Sequence, residues 1–96
     1  MAAYVIADTE VHDPRAILEY QRQVPATLAP YGGRFLVRGG AVAPAEGDYR
    51  PQRMVVLEFP DMAAAKAWYA SPAYQAILPL RQRHSRAHFL VFVEGA

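Results

Sequence analysis

Two charged residues lie inside strand-like apolar sequence, and they are the first candidates for chemistry. Arg38 follows the apolar run 35–37, and Glu58 follows the apolar run 54–57. A charge within a sheet is costly unless it is paired with an opposite charge or bound to a ligand. The two strands that carry these residues are therefore the place where we expect a functional site.

A hairpin centred near Asp48 would place Arg38 directly opposite Glu58, where cross-strand neighbours are close enough to interact. A bulge at Gly39-Gly40 would shift that register. Two interpretations are open. The two residues either form a structural ion pair or are catalytic, in which case Arg38 binds a ligand carboxylate through two hydrogen bonds and Glu58 orients the ligand or accepts a proton.

Aromatic hydroxyls and one histidine extend this candidate site. We expect Tyr4, Tyr69, Tyr74 and His88 to reach a cavity as ligand-binding residues, beside Arg38 and Glu58. His84 lies four residues before His88, which is a metal-ligand spacing only on a helix. Because the following apolar residues place His88 in a strand, no metal site is predicted. No phosphate-binding loop and no Ser-His-Asp arrangement is recognisable, and no cofactor is expected.

Composition limits the class of protein. The 96 residues are predicted to form a single domain, 1–96, in which 53% of the residues are hydrophobic and the formal net charge is +1. Nucleic-acid-binding proteins usually have a clustered basic excess, so nucleic acid is not an expected partner. No apolar run is long enough to span a membrane, no signal peptide is recognisable and cysteine is absent, so we expect a cytoplasmic protein.

Four strands are predicted where β-branched and aromatic residues concentrate. They cover residues 4–9, 33–43, 54–59 and 87–94. A helix is predicted between the first two strands, from a cap at Asp13 to Gly32. A second helix begins at Asp61, restarts at a new cap at Ser71 and reaches Arg83. The order β-α-β-β-α-β is typical of an α+β, ferredoxin-like fold, with both helices on one face of a four-stranded antiparallel sheet.

Alternation along the strands divides the predicted sheet into two faces. One face is uniformly apolar and is expected under the helices; it contains Val5, Ala7, Phe35, Val37, Val55, Leu57, Phe59, Phe89, Val91 and Val93. The other face contains Tyr4, Ile6, Asp8, Leu36, Arg38, Met54, Val56, Glu58, His88, Leu90 and Phe92. In a monomer this second face would expose a large apolar patch. We therefore expect a homodimer that buries it, sheet against sheet, around a partly polar cavity.

Three segments of the chain resemble the domain of unknown function 1330 family. They are YGGRFLVRGG at 31–40, VLEFP at 56–60 and AWYASPAYQ at 67–75. The resemblance covers nearly the whole chain and implies a dimeric α/β barrel of ferredoxin-like subunits. Proteins of that architecture include monooxygenases of antibiotic biosynthesis, haem-degrading enzymes, muconolactone isomerases and stress-responsive proteins, so the resemblance implies no single activity. Phe35 stands where this family commonly has tyrosine.

Two classes of function are open from the sequence. The first is a small-molecule-binding protein or cofactor-free enzyme whose pocket, between the second sheet face and the dimer partner, takes a small anionic or polar-headed metabolite. The residues by themselves do not favour catalysis over simple binding. The second is a non-catalytic dimeric scaffold or regulatory module in which Arg38 and Glu58 are structural.

Overall fold

The computed structural model describes residues 1–96 and confirms the ferredoxin-like order of elements. The strands are β1 (Ala3–Val11), β2 (Arg34–Arg38), β3 (Met54–Phe59) and β4 (Ser85–Glu94). The helices are α1 (Leu18–Leu28), followed by a 3₁₀ turn at Ala29–Tyr31, then α2 (Met62–Ala70) and α3 (Pro72–His84). The antiparallel sheet has the strand order β2-β3-β1-β4. None of the helices combines the length and apolar character that crossing a membrane requires.

Side-chain caps begin α2 and α3 where the sequence predicts them, whereas α1 begins at Leu18, after the predicted cap at Asp13, and has no side-chain cap. Asp61 accepts a hydrogen bond from the backbone amide three residues ahead at 2.8 Å, and Ser71 does the same at 3.2 Å. Ser71 therefore separates α2 from α3. Asp13 accepts from the amides two and three residues ahead, each at 3.1 Å, and so forms the turn that precedes α1. Gly32 ends the 3₁₀ turn with φ of 69°, a left-handed conformation that glycine adopts without steric cost.

One face of the sheet packs against the helices and forms the core. The buried residues of this core, from the sheet and the helices together, include Val5, Val24, Leu28, Leu57, Phe59, Trp68, Tyr74, Ile77 and Leu78. The opposite face, called the open face below, carries Tyr4, Ile6, Asp8, Arg34, Leu36, Val37, Met54, Val56, Glu58, Phe89, Val91 and Val93. The two faces are separated by the sheet itself, so side chains on opposite faces cannot share one cavity.

The predicted faces are wrong at the end of β2 because of a bulge. Phe35 pairs with Leu57, but Val37 pairs with Val56, so Leu36 is an extra residue in β2. The bulge turns Val37 onto the open face and places Arg38, the partner of Val55, on the helix side.

The predicted faces are also wrong in β4. Leu90 pairs with Ala7 and Phe92 pairs with Val5, and both Leu90 and Phe92 pack against the core. Phe89, Val91 and Val93 therefore lie on the open face. Residues 89–93 are all apolar, so the alternation of apolar and polar residues could not show which of them face the helices and which lie on the open face.

The second strand is also shorter than the predicted 33–43. It ends at Arg38, and Gly39 follows with φ of 72°, which turns the chain out of the strand. The connection from Gly39 to Arg53 contains no helix or strand.

Candidate functional site

Glu58 forms an ion pair with Arg34, and the predicted pairing of Arg38 with Glu58 is wrong. The Nη2 and Nε atoms of Arg34 lie 2.6 and 2.7 Å from Glu58 Oε1. The two residues are cross-strand partners on the open face. The prediction failed because the chain between β2 and β3 is a long irregular connection rather than a hairpin centred near Asp48, and because the bulge lies at Leu36 rather than at Gly39-Gly40.

Only one of the other predicted ligand-binding residues lies beside Glu58. Tyr4 is its partner across β1 and β3, so Arg34, Glu58 and Tyr4 form one row across the open face. His88 lies further along the sheet, with Nε2 3.9 Å from Glu10 Oε2. His12 Nε2 is 3.6 Å from the same oxygen. Nowhere do three such side chains converge closely enough to hold a metal ion.

The remaining predicted residues, Tyr69 and Tyr74, lie on the helix side in an aromatic cluster. The Tyr74 ring is fully buried, with its centroid 4.2 Å from that of Trp68 and 5.5 Å from that of Tyr69. Tyr74 Oη lies 2.8 Å from the hydroxyl of Tyr20. Burial, and then the neighbouring Tyr74, raise the pKa of Tyr20, so the Tyr20 hydroxyl is neutral at physiological pH.

Arg38 lies on the helix side of the sheet, where its side chain supplies a hydrogen bond that α1 lacks because of Pro25. Pro25 has no N–H, so the carbonyl of Gln21, four residues earlier, lacks its usual donor within α1. Arg38 Nη2 supplies one at 2.6 Å. The guanidinium also lies over the ring of Phe35, 4.2 Å from its centroid.

A small cleft with about 50 Å³ of enclosed space, open to solvent and called the α1 cleft below, lies between α1 and the strands β2 and β3. Its apolar wall consists of Val24, Phe35, Val55 and Leu57. Its polar residues are Tyr20, Gln21, Arg38 and Arg53. Two arginines beside an apolar wall make this cleft a candidate site for an organic anion.

The arginines of the α1 cleft have no carboxylate partner in the protein. The four ion pairs of the chain involve other side chains. Burial, and then the positive charge of Arg38, lower the pKa of Arg53, so the half-buried guanidinium lies in a positive field. A third arginine, Arg81, is buried behind Tyr20 with its Nε atom unpaired. The region around Tyr20 is therefore cationic.

Asp8 is a functional candidate that the sequence analysis did not select. It has no exposed surface, and its Oδ1 accepts from the backbone amides of Gln52 and Arg53 at 2.9 and 3.0 Å. Its Oδ2 accepts from Tyr49 Oη at 2.5 Å. Asp8 thus holds the connection that carries Arg53 against β1. A signal was available, because Asp8, like Arg38 and Glu58, is a charged residue in an apolar strand.

The observed pairing predicts which charges couple energetically. In a double-mutant cycle, Arg34→Ala and Glu58→Ala are expected to couple by about 0.2–1 kcal/mol, and less in high salt, because Arg34 is mostly exposed. Arg38→Ala and Glu58→Ala are expected to be additive, because the two side chains lie on opposite faces. Urea unfolding of the wild type, the single variants and the double variant in each cycle measures the coupling energy of each pair. Coupling between Arg38 and Glu58 alone would contradict the observed register.

Comparison with known proteins places the chain in a group of small α+β folds. The family model described as domain of unknown function (DUF1330) matches residues 2–96. A dimeric ferredoxin-like protein of unknown function from Jannaschia sp. CCS1 is similar, with 18% identity and a TM-score of 0.71, over 99% of this chain and 100% of that one. No protein with a curated description matches.

Two further solved structures have the same fold. A protein of unknown function from Rhodopseudomonas palustris is 17% identical with a TM-score of 0.70, over 99% of this chain and 82% of that one. SnoaB, a cofactor-independent oxygenase from Streptomyces nogalater, is 15% identical with a TM-score of 0.66, over 99% of this chain and 93% of that one. At such identities the likeness establishes the fold and not the activity.

Proposed function

Because this chain belongs to the DUF1330 family, which is defined without an assigned activity, we propose its function from its own residues: it binds a small anionic organic molecule in the α1 cleft. One observation carries the proposal. Arg38 and Arg53 both line the cleft, and neither has a carboxylate partner. An anion between them would gain charge-assisted hydrogen bonds in a site that is shielded from water on its apolar side.

The similar solved structures support small-molecule chemistry as the class of function. SnoaB is described as an oxygenase that needs no cofactor, and a similar structure from Chloroflexus aurantiacus as a putative antibiotic biosynthesis monooxygenase. The fold is therefore compatible with an organic substrate and no cofactor. For this chain we propose binding as the primary function, in a cleft where Tyr20 is the one lining residue that carries a hydroxyl.

A thermal-shift screen with small carboxylates, phenols, phosphates and sulfonates tests this proposal. A ligand at one hundred times its dissociation constant adds about 2.7 kcal/mol to the stability of the native state. Hits are expected to be lost in Arg53→Gln and retained in Glu58→Gln, which alters a carboxylate on the open face. If no anion stabilises the protein, or if hits depend on Glu58 and not on Arg53, the proposed site is wrong.

A second candidate function, a dimeric scaffold, is favoured by the open face. Leu36, Val37, Val91 and Val93 are each between 39% and 45% exposed there. We propose that a second copy of this chain covers these residues, sheet against sheet, as an apolar patch of this kind favours. The Jannaschia protein with the same fold is described as dimeric. The ion pair of Glu58 with Arg34 fits a structural role for Glu58 at such an interface.

A charge on the open face is expected to prevent dimerisation. Val91→Glu places a carboxylate among the apolar residues of the proposed interface, on strand β4, where burial of an unpaired charge is costly. Light scattering after gel filtration should give a dimer for the wild type and a monomer for the variant. Leu18→Glu, at an exposed position of α1, should remain dimeric. A monomeric wild type, or a dimeric Val91→Glu variant, would contradict this interface.

A further inference from the structure

We infer that the ligand of the α1 cleft is a monocarboxylic acid with an apolar body, and that Arg53 binds its carboxylate. This inference rests on the proposed function and adds to it the class of ligand and the residue that recognises it. Three observations carry it: Arg38 is already bonded to the protein, the guanidinium of Arg53 is not, and the remaining wall is mostly apolar, with Tyr20 and Gln21 as its other polar residues.

Arg38 has a structural task that limits its use in ligand recognition. Its Nη2 donates to the Gln21 carbonyl that Pro25 leaves without a partner, and its guanidinium lies over the Phe35 ring. A ligand that pulled Arg38 away would leave that carbonyl unsatisfied and would lose the contact with the ring. Arg38 therefore contributes positive charge to the cleft, but its contacts with Gln21 and Phe35 hold its side chain in one orientation.

Arg53 has the opposite character. Its side chain lines the same cleft and is half-buried, yet it forms no ion pair within the protein. A guanidinium carries five N–H donors in a planar fork that matches the two oxygens of a carboxylate. A ligand carboxylate is thus the acceptor that Arg53 lacks. Binding it would also relieve the repulsion between Arg53 and Arg38.

The backbone of Arg53 is held in place before any ligand arrives. Its N–H donates to Asp8 Oδ1 at 3.0 Å, and its carbonyl accepts from the amide of Thr9 at 3.1 Å. Gly39 passes close to the side chain, since a methyl group added there would lie 3.0 Å from Arg53 Nε. Arg53 is thus held by its backbone hydrogen bonds to Asp8 and Thr9 and confined by Gly39. These restraints reduce the conformational entropy that Arg53 would lose on binding a ligand.

The apolar wall determines the rest of the ligand. Val24, Phe35, Val55 and Leu57 offer no polar group to a second charged or strongly polar substituent. The enclosed space of about 50 Å³ is well below the range of about 300–1,000 Å³ that closed small-molecule sites cover, so a ligand here lies in an open cleft and extends into solvent. A single carboxylate on a compact apolar body matches this wall, whereas a dicarboxylate or a sugar phosphate would place a second polar group against it.

Matched probes test the inference by calorimetry on the full chain. We expect 3-phenylpropionate to bind wild type about tenfold to a hundredfold more tightly than 3-phenylpropionamide, the range for hydrogen bonds to a charged group. In Arg53→Gln that preference is expected to disappear. Arg83→Gln removes the same charge from an exposed position outside the cleft and should keep the preference. Circular dichroism of each variant establishes that it is folded.

Several outcomes would overturn the inference, and they can be told apart from failure of the proposed function. Equal binding of the acid and the amide would leave the cleft as a site but exclude carboxylate recognition. A preference that persists in Arg53→Gln would show that another residue is the anchor. Tight binding of phosphates or dicarboxylates from the screen, without binding of 3-phenylpropionate, would contradict only the ligand class. Absence of any binding anion would overturn both proposals together.

Discussion

Replacement of Trp68 by alanine is expected to lower the free energy of unfolding by about 3–5 kcal/mol, the range for large aromatic side chains removed from a core. Trp68 is 1% exposed, and its ring centroid lies 5.5 Å from that of Phe59 and 4.2 Å from that of Tyr74. It therefore joins α2 to β3 and to α3. Its Nε1 also donates to Thr27 Oγ1 at 3.0 Å, so the substitution removes a buried hydrogen bond to α1 as well.

The effect of Trp68→Ala has to be measured by circular dichroism in urea, because Trp68 is the only tryptophan and its fluorescence is lost with it. Leu18→Ala is a suitable control, since Leu18 is 51% exposed and its replacement is expected to change stability by less than about 0.5 kcal/mol. Similar losses in the two variants would show that the aromatic cluster is not the main source of core stability.

The second large effect is expected at Asp8. Asp8→Asn removes the charge that accepts from Tyr49 Oη and from the amides of Gln52 and Arg53, and places an amide N–H₂ where an acceptor is required. The expected loss of stability at neutral pH is about 1–3 kcal/mol, the cost of leaving a buried hydrogen-bonding group unsatisfied. Because Asp8 holds the backbone of Arg53, carboxylate binding in the α1 cleft should weaken in the same variant.

The contribution of Asp8 should depend on pH in a defined direction. Burial raises the pKa of its carboxyl, but hydrogen bonds from Tyr49, Arg53 and Gln52, with the charge of His88, outweigh burial and hold the pKa below the ordinary value of 3.8. A folded-state pKa below the unfolded one stabilises the native state above the unfolded value. That stability is therefore present above about pH 4 and is lost as the pH falls through the lower, folded pKa.

Urea midpoints measured between neutral pH and the acid limit of folding test this prediction. The difference in stability between wild type and Asp8→Asn should be constant near neutral pH and should shrink below about pH 4. Tyr49→Phe, which removes one donor and leaves the carboxyl in place, should retain part of the acid dependence. Parallel profiles for wild type and Asp8→Asn would show that another carboxyl is responsible.

Much of the fold could be predicted because its signals are local. The caps at Asp61 and Ser71 and the left-handed Gly32 depend on residues within one helical turn, and they appear where the sequence places them, whereas Asp13 forms a turn that precedes α1 and does not cap it. The third strand was predicted with its observed bounds because it is a short run of apolar residues between turn signals. The open face also contains Glu58 and Tyr4, as predicted from alternation in β1 and β3.

The candidate site could be predicted only in part. Arg38 was correctly selected as a charge that needs an explanation, but its partners are the Gln21 carbonyl and the Phe35 ring rather than Glu58. Arg53 was not selected, because it precedes a strand and looks like an ordinary exposed arginine in the sequence. Its position in the α1 cleft depends on Asp8, which is more than forty residues away along the chain.

The sequence by itself therefore determined the order of elements, the starts of α2 and α3 and the presence of charged residues inside apolar strands, because each of these depends on neighbouring residues. The tertiary structure alone decided which arginine meets Glu58, which phase of β4 faces the helices and which arginines share the α1 cleft. The physical reason is that strand register depends on bulges and on the path of a long connection. A one-residue shift exchanges the two faces of a strand without changing the local preference of any residue.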